Sequence, residues 1–238
     1  MEETYSMRVI ARVHSEFPTK FGVPRQSGLV QDLEARVVLE PAYRVRDALR
    51  GLEGYSHLWL VWVFDRALRR EWSPTVRPPR LGGNRRMGVF ATRAPFRPNP
   101  IAISSVVLAG IEEGPDGPFL RVRGADLADG TPVLDIKPYL PYTDCHPEAS
   151  AVFTADGPRL DPEIPPELLA RVPEHRRAAL REVLAQDPRP RYQDDPARVY
   201  GFGFAGFEVR FTVEGNRLVV RELAAEGEAG NGSHSKGQ

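Results

Sequence analysis

The chain has 238 residues, enough to bury one large core or two smaller ones, so most of it is expected to fold. Lys plus Arg and Asp plus Glu each number 32, a balance that leaves no global preference for nucleic acid or membrane surfaces. A single cysteine, Cys145, excludes an intramolecular disulfide framework and a cysteine-based zinc cluster, and fits a reducing compartment. The first residues lack a basic region followed by an apolar core, and no apolar run approaches the roughly 20 residues of a membrane span. These features lead to the expectation of a soluble, cytoplasmic protein with no membrane partner.

In chain order, Met7 to Val13 alternates apolar and basic residues like a half-buried strand, and Arg36 to Leu39 reads as another. Tyr43 to Leu49 suggests a short helix stopped by Gly51, and His57 to Phe64 is apolar enough for a central strand. Gly88 to Arg93, Ile101 to Leu108, Phe119 to Arg123 and Val133 to Lys137 follow as further strands, joined by Gly-, Pro- and Asp-rich loops without intervening helices. That succession predicts a mainly β protein with an antiparallel sheet or barrel over residues 1–150, and argues against a doubly wound parallel sheet. A smaller α+β domain is expected over 151–223. Its helix lies between Pro173 and Pro188, with Leu180, Val183 and Leu184 on one face, and a hairpin turns at Glu214 to Asn216. The polar, Gly-rich stretch 224–238 reads as a disordered tail.

Charge is concentrated locally. Between Arg66 and Arg97 there are nine arginines and one acid, Glu71, so this stretch is suited to meeting phosphates. It contains Gly88-Val-Phe-Ala-Thr-Arg-Ala-Pro-Phe-Arg-Pro-Asn-Pro100, in which Pro95, Pro98 and Pro100 stiffen the loop that presents Arg97 and Asn99. An anion clamp and simple satisfaction of loop carbonyls weigh equally for those two residues. In Asp126-Leu-Ala-Asp-Gly-Thr-Pro-Val-Leu-Asp-Ile-Lys-Pro-Tyr139, Asp129-Gly130 marks a turn, and alternation in the strand that follows places Asp135, Lys137 and Tyr139 on one face, opposite Leu134 and Ile136. Those three polar groups would line a polar pocket or form an ordinary solvated face. A Gly/Pro-bounded loop around Pro24, Arg25 and Gln26 supplies planar donors for a carboxylate or phosphate. Gly201 to Gly206 matches G-x-G-x-x-G but leads into a strand, so it lacks the helix N-terminus that holds a pyrophosphate. Cys145-His146 are adjacent on an extended segment and point apart, and the histidines have no metal spacing.

At Pro24-Arg-Gln, Arg77-Pro-Pro-Arg-Leu-Gly-Gly-Asn84, Gly88 to Arg93, Phe96-Arg-Pro-Asn-Pro-Ile101, Asp129 to Tyr139 and Glu182 to Pro190, the chain resembles the TrmO (YaeB, TsaA-like) family. The resemblance implies a homodimeric β-barrel enzyme that transfers methyl from S-adenosylmethionine to the exocyclic nitrogen of N6-threonylcarbamoyladenosine beside the tRNA anticodon. The cofactor contacts it implies fall on Pro24, Arg25, Gln26, Arg93, Ile103, Val133, Leu134, Asp135 and Ile136. They include Asp65 and Arg66 through backbone groups, because this chain has Asp-Arg where bacterial relatives tend to have His-Gln. Within that frame Asp135, or a water that it holds, is expected to accept the nucleophile's proton, with Lys137 and Tyr139 positioning substrate or cofactor. Arg69, Arg77, Arg80, Arg85, Arg86, Arg97 and Asn99 are expected to contact the tRNA. A non-catalytic cofactor-sensing or RNA-binding module is the main alternative, followed by methylation of another nucleoside or a small molecule.

Overall fold

The computed structural model describes residues 3–69, 71–78, 85–151, 159–189 and 195–225. Alternating burial organises the first half. In β3 (His57–Val63), Leu58, Leu60 and Trp62 point inward while His57, Trp59, Val61 and Val63 point outward. The same pattern runs through β1 (Ala11–His14), β2 (Glu34–Leu39) and β7 (Gly117–Arg123), whose inward residues include Val13, Val37, Leu120 and Val122. With β6 (Ile101–Gly114) and β8 (Pro132–Pro138), these strands form one sheet in the order β1-β2-β7-β6-β3-β8. Ala11 pairs with Val133 and Arg12 with Pro132, so β1 meets β8 and the sheet closes on itself. Closure leaves neither long strand edge unpaired, and each fully buried Leu or Val in the interior contributes roughly 1.5–3 kcal/mol.

A second core forms around the four-stranded sheet β10-β11-β12-β9, made by β9 (Asp161–Glu163), β10 (Tyr200–Phe204), β11 (Phe207–Glu214) and β12 (Arg217–Ala225). The expected helix is present as Glu174–Ala185, capped by Pro173, and it buries Leu180, Val183 and Leu184 against this sheet. Phe17, Val30 and Leu33, all from the connection between β1 and β2, belong to the second core rather than the first. Glu16 pairs with Arg176, and the Ala205 amide donates to the Glu16 carbonyl at 3.0 Å. Gly22 lies so close to Phe202 that any Cβ would overlap the ring, and its φ of 82° is one that only glycine adopts freely. The β1–β2 connection is thus held from behind by the C-terminal sheet.

Four local expectations change. Met7 to Ile10 precede the first strand, which begins at Ala11. Tyr43 to Leu49 is not one helix but part of two 3-10 turns, Pro41–Tyr43 and Arg46–Leu49, and Gly51 in the left-handed region opens a third. Gly88 to Arg93 is not a strand. Only Met87–Gly88 (β5) pairs, with Thr75–Val76 (β4), and a 3-10 turn over Val89–Ala91 follows, closed by the Thr92 hydroxyl donating to the Val89 carbonyl at 2.9 Å. The last strand continues through Ala224 and Ala225, which pair with Glu208 and Phe207 and so do not belong to the expected tail, the rest of which lies outside the described residues.

Gly201 to Gly206 forms β10 and its turn into β11, with Ala205 and Gly206 at positive φ, in agreement with its rejection as a nucleotide fingerprint.

Candidate active site

Antiparallel pairing brings the C-terminal ends of β1 and β3 and the N-terminal ends of β6 and β8 to the same end of the sheet. The loops that leave those ends line an open cavity of about 920 Å³. Pro24, Arg25 and Gln26 come from the β1–β2 connection, and Asp65, Arg66 and Arg69 from the turn after β3. The proline-stiffened segment supplies Phe90, Arg93 and Arg97, the start of β6 supplies Ile101 and Ile103, and the β7–β8 loop supplies Asp126 and Leu127. Lys20 joins these arginines, so six cationic side chains face two carboxylates across the lining.

Each wall has an identifiable support. Arg25 donates to the Asp187 carbonyl at 3.2 Å, just beyond the long helix, where Asp187 takes a φ of 54° and receives Arg189 at 2.8 Å. Gln26 accepts from Arg93 at 2.5 Å. Arg66 donates to the carbonyls of Pro18 (2.8 Å) and Asp129 (2.5 Å), so its guanidinium ties two loops together. Arg97 donates to the Thr92 carbonyl at 2.8 Å, which is the carbonyl-satisfying role, while also lining the cavity and standing over Phe90 at 5.9 Å from the ring centroid.

The most deeply supported polar group is Asp126. Its carboxylate accepts from the Ser104 hydroxyl at 2.6 Å, and Ser104 in turn accepts from the Trp62 indole at 2.9 Å. Because an indole nitrogen only donates, the Ser104 proton must point at Asp126. Burial pushes the Asp126 carboxyl above the ordinary carboxylate range. The Ser104 hydrogen bond, the backbone amides of Asp126 and Ser27, and the charge of Arg93 oppose that shift. The Ser27 hydroxyl also accepts from the Ser105 amide at 3.2 Å, fastening the Pro24–Ser27 loop to β6.

The remaining expected residues lie elsewhere. Asp135, Lys137 and Tyr139 do share a face, but it is the outer face of the sheet. Asp135 sits opposite Val61 and Lys137 opposite Trp59, and the Tyr139 ring is 5.5 Å from that of Trp59. Lys137 and Asp135 form an exposed ion pair at 2.8 Å, and neither they nor Tyr139 line the cavity. Strict alternation fails at Leu134. Trp62 pairs with Val133 and Val61 with Asp135, so Leu134 is an extra residue in a bulge. Val133 therefore points into the core and Asp135 outward, although both occupy odd positions. Val133, Leu134 and Ile136 are likewise absent from the cavity wall. Arg77, Arg85, Arg86 and Asn99 are exposed outside it, and Arg80 lies outside the described residues.

Sequence reasoning missed Asp126, Ser104, Ser27, Trp72 and Phe90. Trp72 and Phe90 are 49% and 71% exposed, and their rings stack at 6.2 Å between centroids. Large aromatic side chains inside an arginine-rich loop were the available signal. For Ser104 and Ser27 there was none, because their partners are distant in sequence.

A closed antiparallel sheet thus carries, at one end, a loop-built cavity lined by cationic and aromatic side chains. The chain belongs to the tRNA-methyltransferase O family: residues 12–145 match the family's N-terminal domain and residues 163–226 its C-terminal domain. It is 43% identical over 220 residues to the tRNA (adenine(37)-N6)-methyltransferase of Escherichia coli, covering 88% of this chain and 94% of that protein. It is 48% identical over 182 residues to the protein of the same name from Eikenella corrodens, covering 73% and 99%. A crystal structure of TrmO from Pseudomonas aeruginosa superposes with a TM-score of 0.77 at 34% identity, covering 94% of this chain and 99% of that one.

Proposed function

We propose that this protein is an S-adenosylmethionine-dependent methyltransferase that modifies the N6 nitrogen of N6-threonylcarbamoyladenosine at position 37 of tRNA, acting in the cytoplasm as a homodimer. The observation that carries this reading is convergence. Pro24, Arg25, Gln26, Arg93 and Ile103 come from motifs far apart in sequence, yet they line one cavity. The names of the E. coli and Eikenella relatives support the reaction and the position.

The lining fits the methyl donor. Its volume falls within the range of small-molecule sites, roughly 300–1,000 Å³. Ile101, Ile103 and Leu127 offer apolar surface, and Arg25 and Arg93 offer partners for a carboxylate. When bound, the donor supplies an already activated methyl group, which leaves the protein to align a nucleophile and handle one proton.

The rim suits an unpaired RNA loop. The stacked, exposed Trp72 and Phe90 offer faces on which bases can lie, and Arg69, held 3.7 Å from the Phe96 ring centroid, adds a cation. Binding to tRNA should fall steeply with salt. We assign residues 1–150 to catalysis and 151–223 to buttressing, consistent with the second core that grips the Pro24–Gln26 loop from behind. The dimer reading rests on the outer face. Ile103, Val61 and Asp135 sit side by side across β6, β3 and β8, and Ile103 is both 47% exposed and part of the cavity wall. A second subunit seated over Ile103 would border the cavity.

The test supplies labelled S-adenosylmethionine with tRNA carrying or lacking the threonylcarbamoyl group and identifies the nucleosides by mass spectrometry. Label confined to the carbamoylated nucleoside is the expected result. Label on another nucleoside, or ligand binding without turnover, would replace this reading.

A further inference from the structure

The proposed reaction requires a proton acceptor at the nucleophile, and the cavity wall offers few candidates. Among the described residues that line it there is no His, Cys, Glu or Tyr, and the two carboxylates are Asp65 and Asp126. The hydroxyls of Thr92 and Thr131 already donate to the carbonyls of Val89 (2.9 Å) and Ala128 (2.7 Å). Asp65 is exposed at the rim, and among the described residues no hydrogen-bond donor fixes its carboxylate. Asp126 is recessed, and it is held by a chain of donors that begins at the fully committed Trp62 indole and passes through the buried Ser104 hydroxyl.

We infer that Asp126 is the catalytic proton acceptor of this cavity, taking the N6 proton of the substrate nucleoside as the methyl group is transferred. This rests on the methyltransferase reading above. The step balances without any further reagent. The N6 lone pair forms the nitrogen–carbon bond while the methyl–sulfur bond breaks with its electron pair to sulfur, the N6 hydrogen passes to the Asp126 carboxylate, and the charge lost at sulfur leaves as that proton. The placement also suits the task electrostatically. A carboxylate fixed by Ser104 and the Ser27 and Asp126 amides needs no reorganisation when the proton arrives. The desolvation that raises its proton affinity makes it a better acceptor than an exposed aspartate. Of the charged groups around it, Arg93 acts on it directly, while Arg25, Arg66, Arg97, Lys20 and Asp65 share the cavity wall.

Ser104 is a positioning residue in this scheme. Its hydrogen bond favours the charged carboxylate, so its loss should raise the proton affinity of Asp126 further.

The test uses full-length protein, S-adenosylmethionine and threonylcarbamoylated tRNA. Asp126→Asn should cut the single-turnover rate by about 10²- to 10⁴-fold and remove the fall in rate on acidification, while donor affinity measured by calorimetry changes by less than about tenfold. In Ser104→Ala that fall should move to higher pH. Carboxyl-carbon NMR of aspartate-labelled protein, a readout independent of turnover, should show the Asp126 titration displaced upward from ordinary aspartates, and further upward in Ser104→Ala. A wild-type rate in Asp126→Asn, or a rate loss fully explained by lost donor affinity, overturns the inference and leaves the methyltransferase reading intact. If Asp126→Asn does not fold, an unmoved pH profile and NMR titration in Ser104→Ala overturn it equally. Wild-type protein that leaves the carbamoylated nucleoside unmethylated overturns both readings.

Discussion

Two regions of this molecule carry comparably distinctive sequence and have different fates. The loops at one end of the closed sheet gather Arg25, Gln26, Arg93 and Asp126 around a cavity, whereas the Asp135, Lys137 and Tyr139 strip lies on the outer face beside Trp59 and Val61. Both are polar clusters, but only the first holds a carboxylate shifted by burial. Burial makes each charge and hydrogen bond count for more, as the upward shift at Asp126 illustrates, while the exposed Asp135–Lys137 pair stays screened. A cluster's chemistry therefore depends on which end and which face of the sheet it occupies.

The comparison breaks most readily at the back of the cavity loop. Gly22→Val places a branched side chain against Phe202 at a positive φ and should destabilise the fold by about 2–4 kcal/mol. Donor affinity should fall with it, because Pro24 to Gln26 lose their support. Thermal melting and calorimetry would check this, and an unchanged melting temperature would mean that the C-terminal sheet does not hold the loop. At the mouth, Phe90→Ala should raise the tRNA KM between about fivefold and a hundredfold through lost base stacking, with donor affinity unaltered. An unaltered KM would remove the aromatic rim from RNA recognition. The smallest effect is expected on the outer face. Asp135→Ala should change stability by less than about 1 kcal/mol and turnover by no more than about threefold, as for an exposed ion pair. A hundredfold loss of turnover would move the proton chemistry to that strip and reverse the comparison.

Much of this was legible in the chain itself. Alternation in His57-Leu-Trp-Leu-Val-Trp-Val63 specifies an inward Leu58, Leu60 and Trp62, because side chains of an extended strand must point to opposite faces. The helix between Pro173 and Pro188 is similarly local, since proline starts and stops helices through its own backbone. The Pro24–Gln26 loop and Arg93 were recognisable as motif residues and do reach the cavity. Other features were decided only by the folded structure. Alternation correctly placed Asp135, Lys137 and Tyr139 together, but which side of the sheet they face depends on the bulge at Leu134 and on closure through β1 and β8. Asp126 stood in view as an ordinary loop aspartate. Its distinctive environment comes from Ser104 on β6, the Ser27 amide and burial at the sheet's end, all supplied by residues distant in sequence. Local sequence determines backbone periodicity because that is a property of neighbouring residues. Desolvation and side-chain partnership are properties of what folds over them.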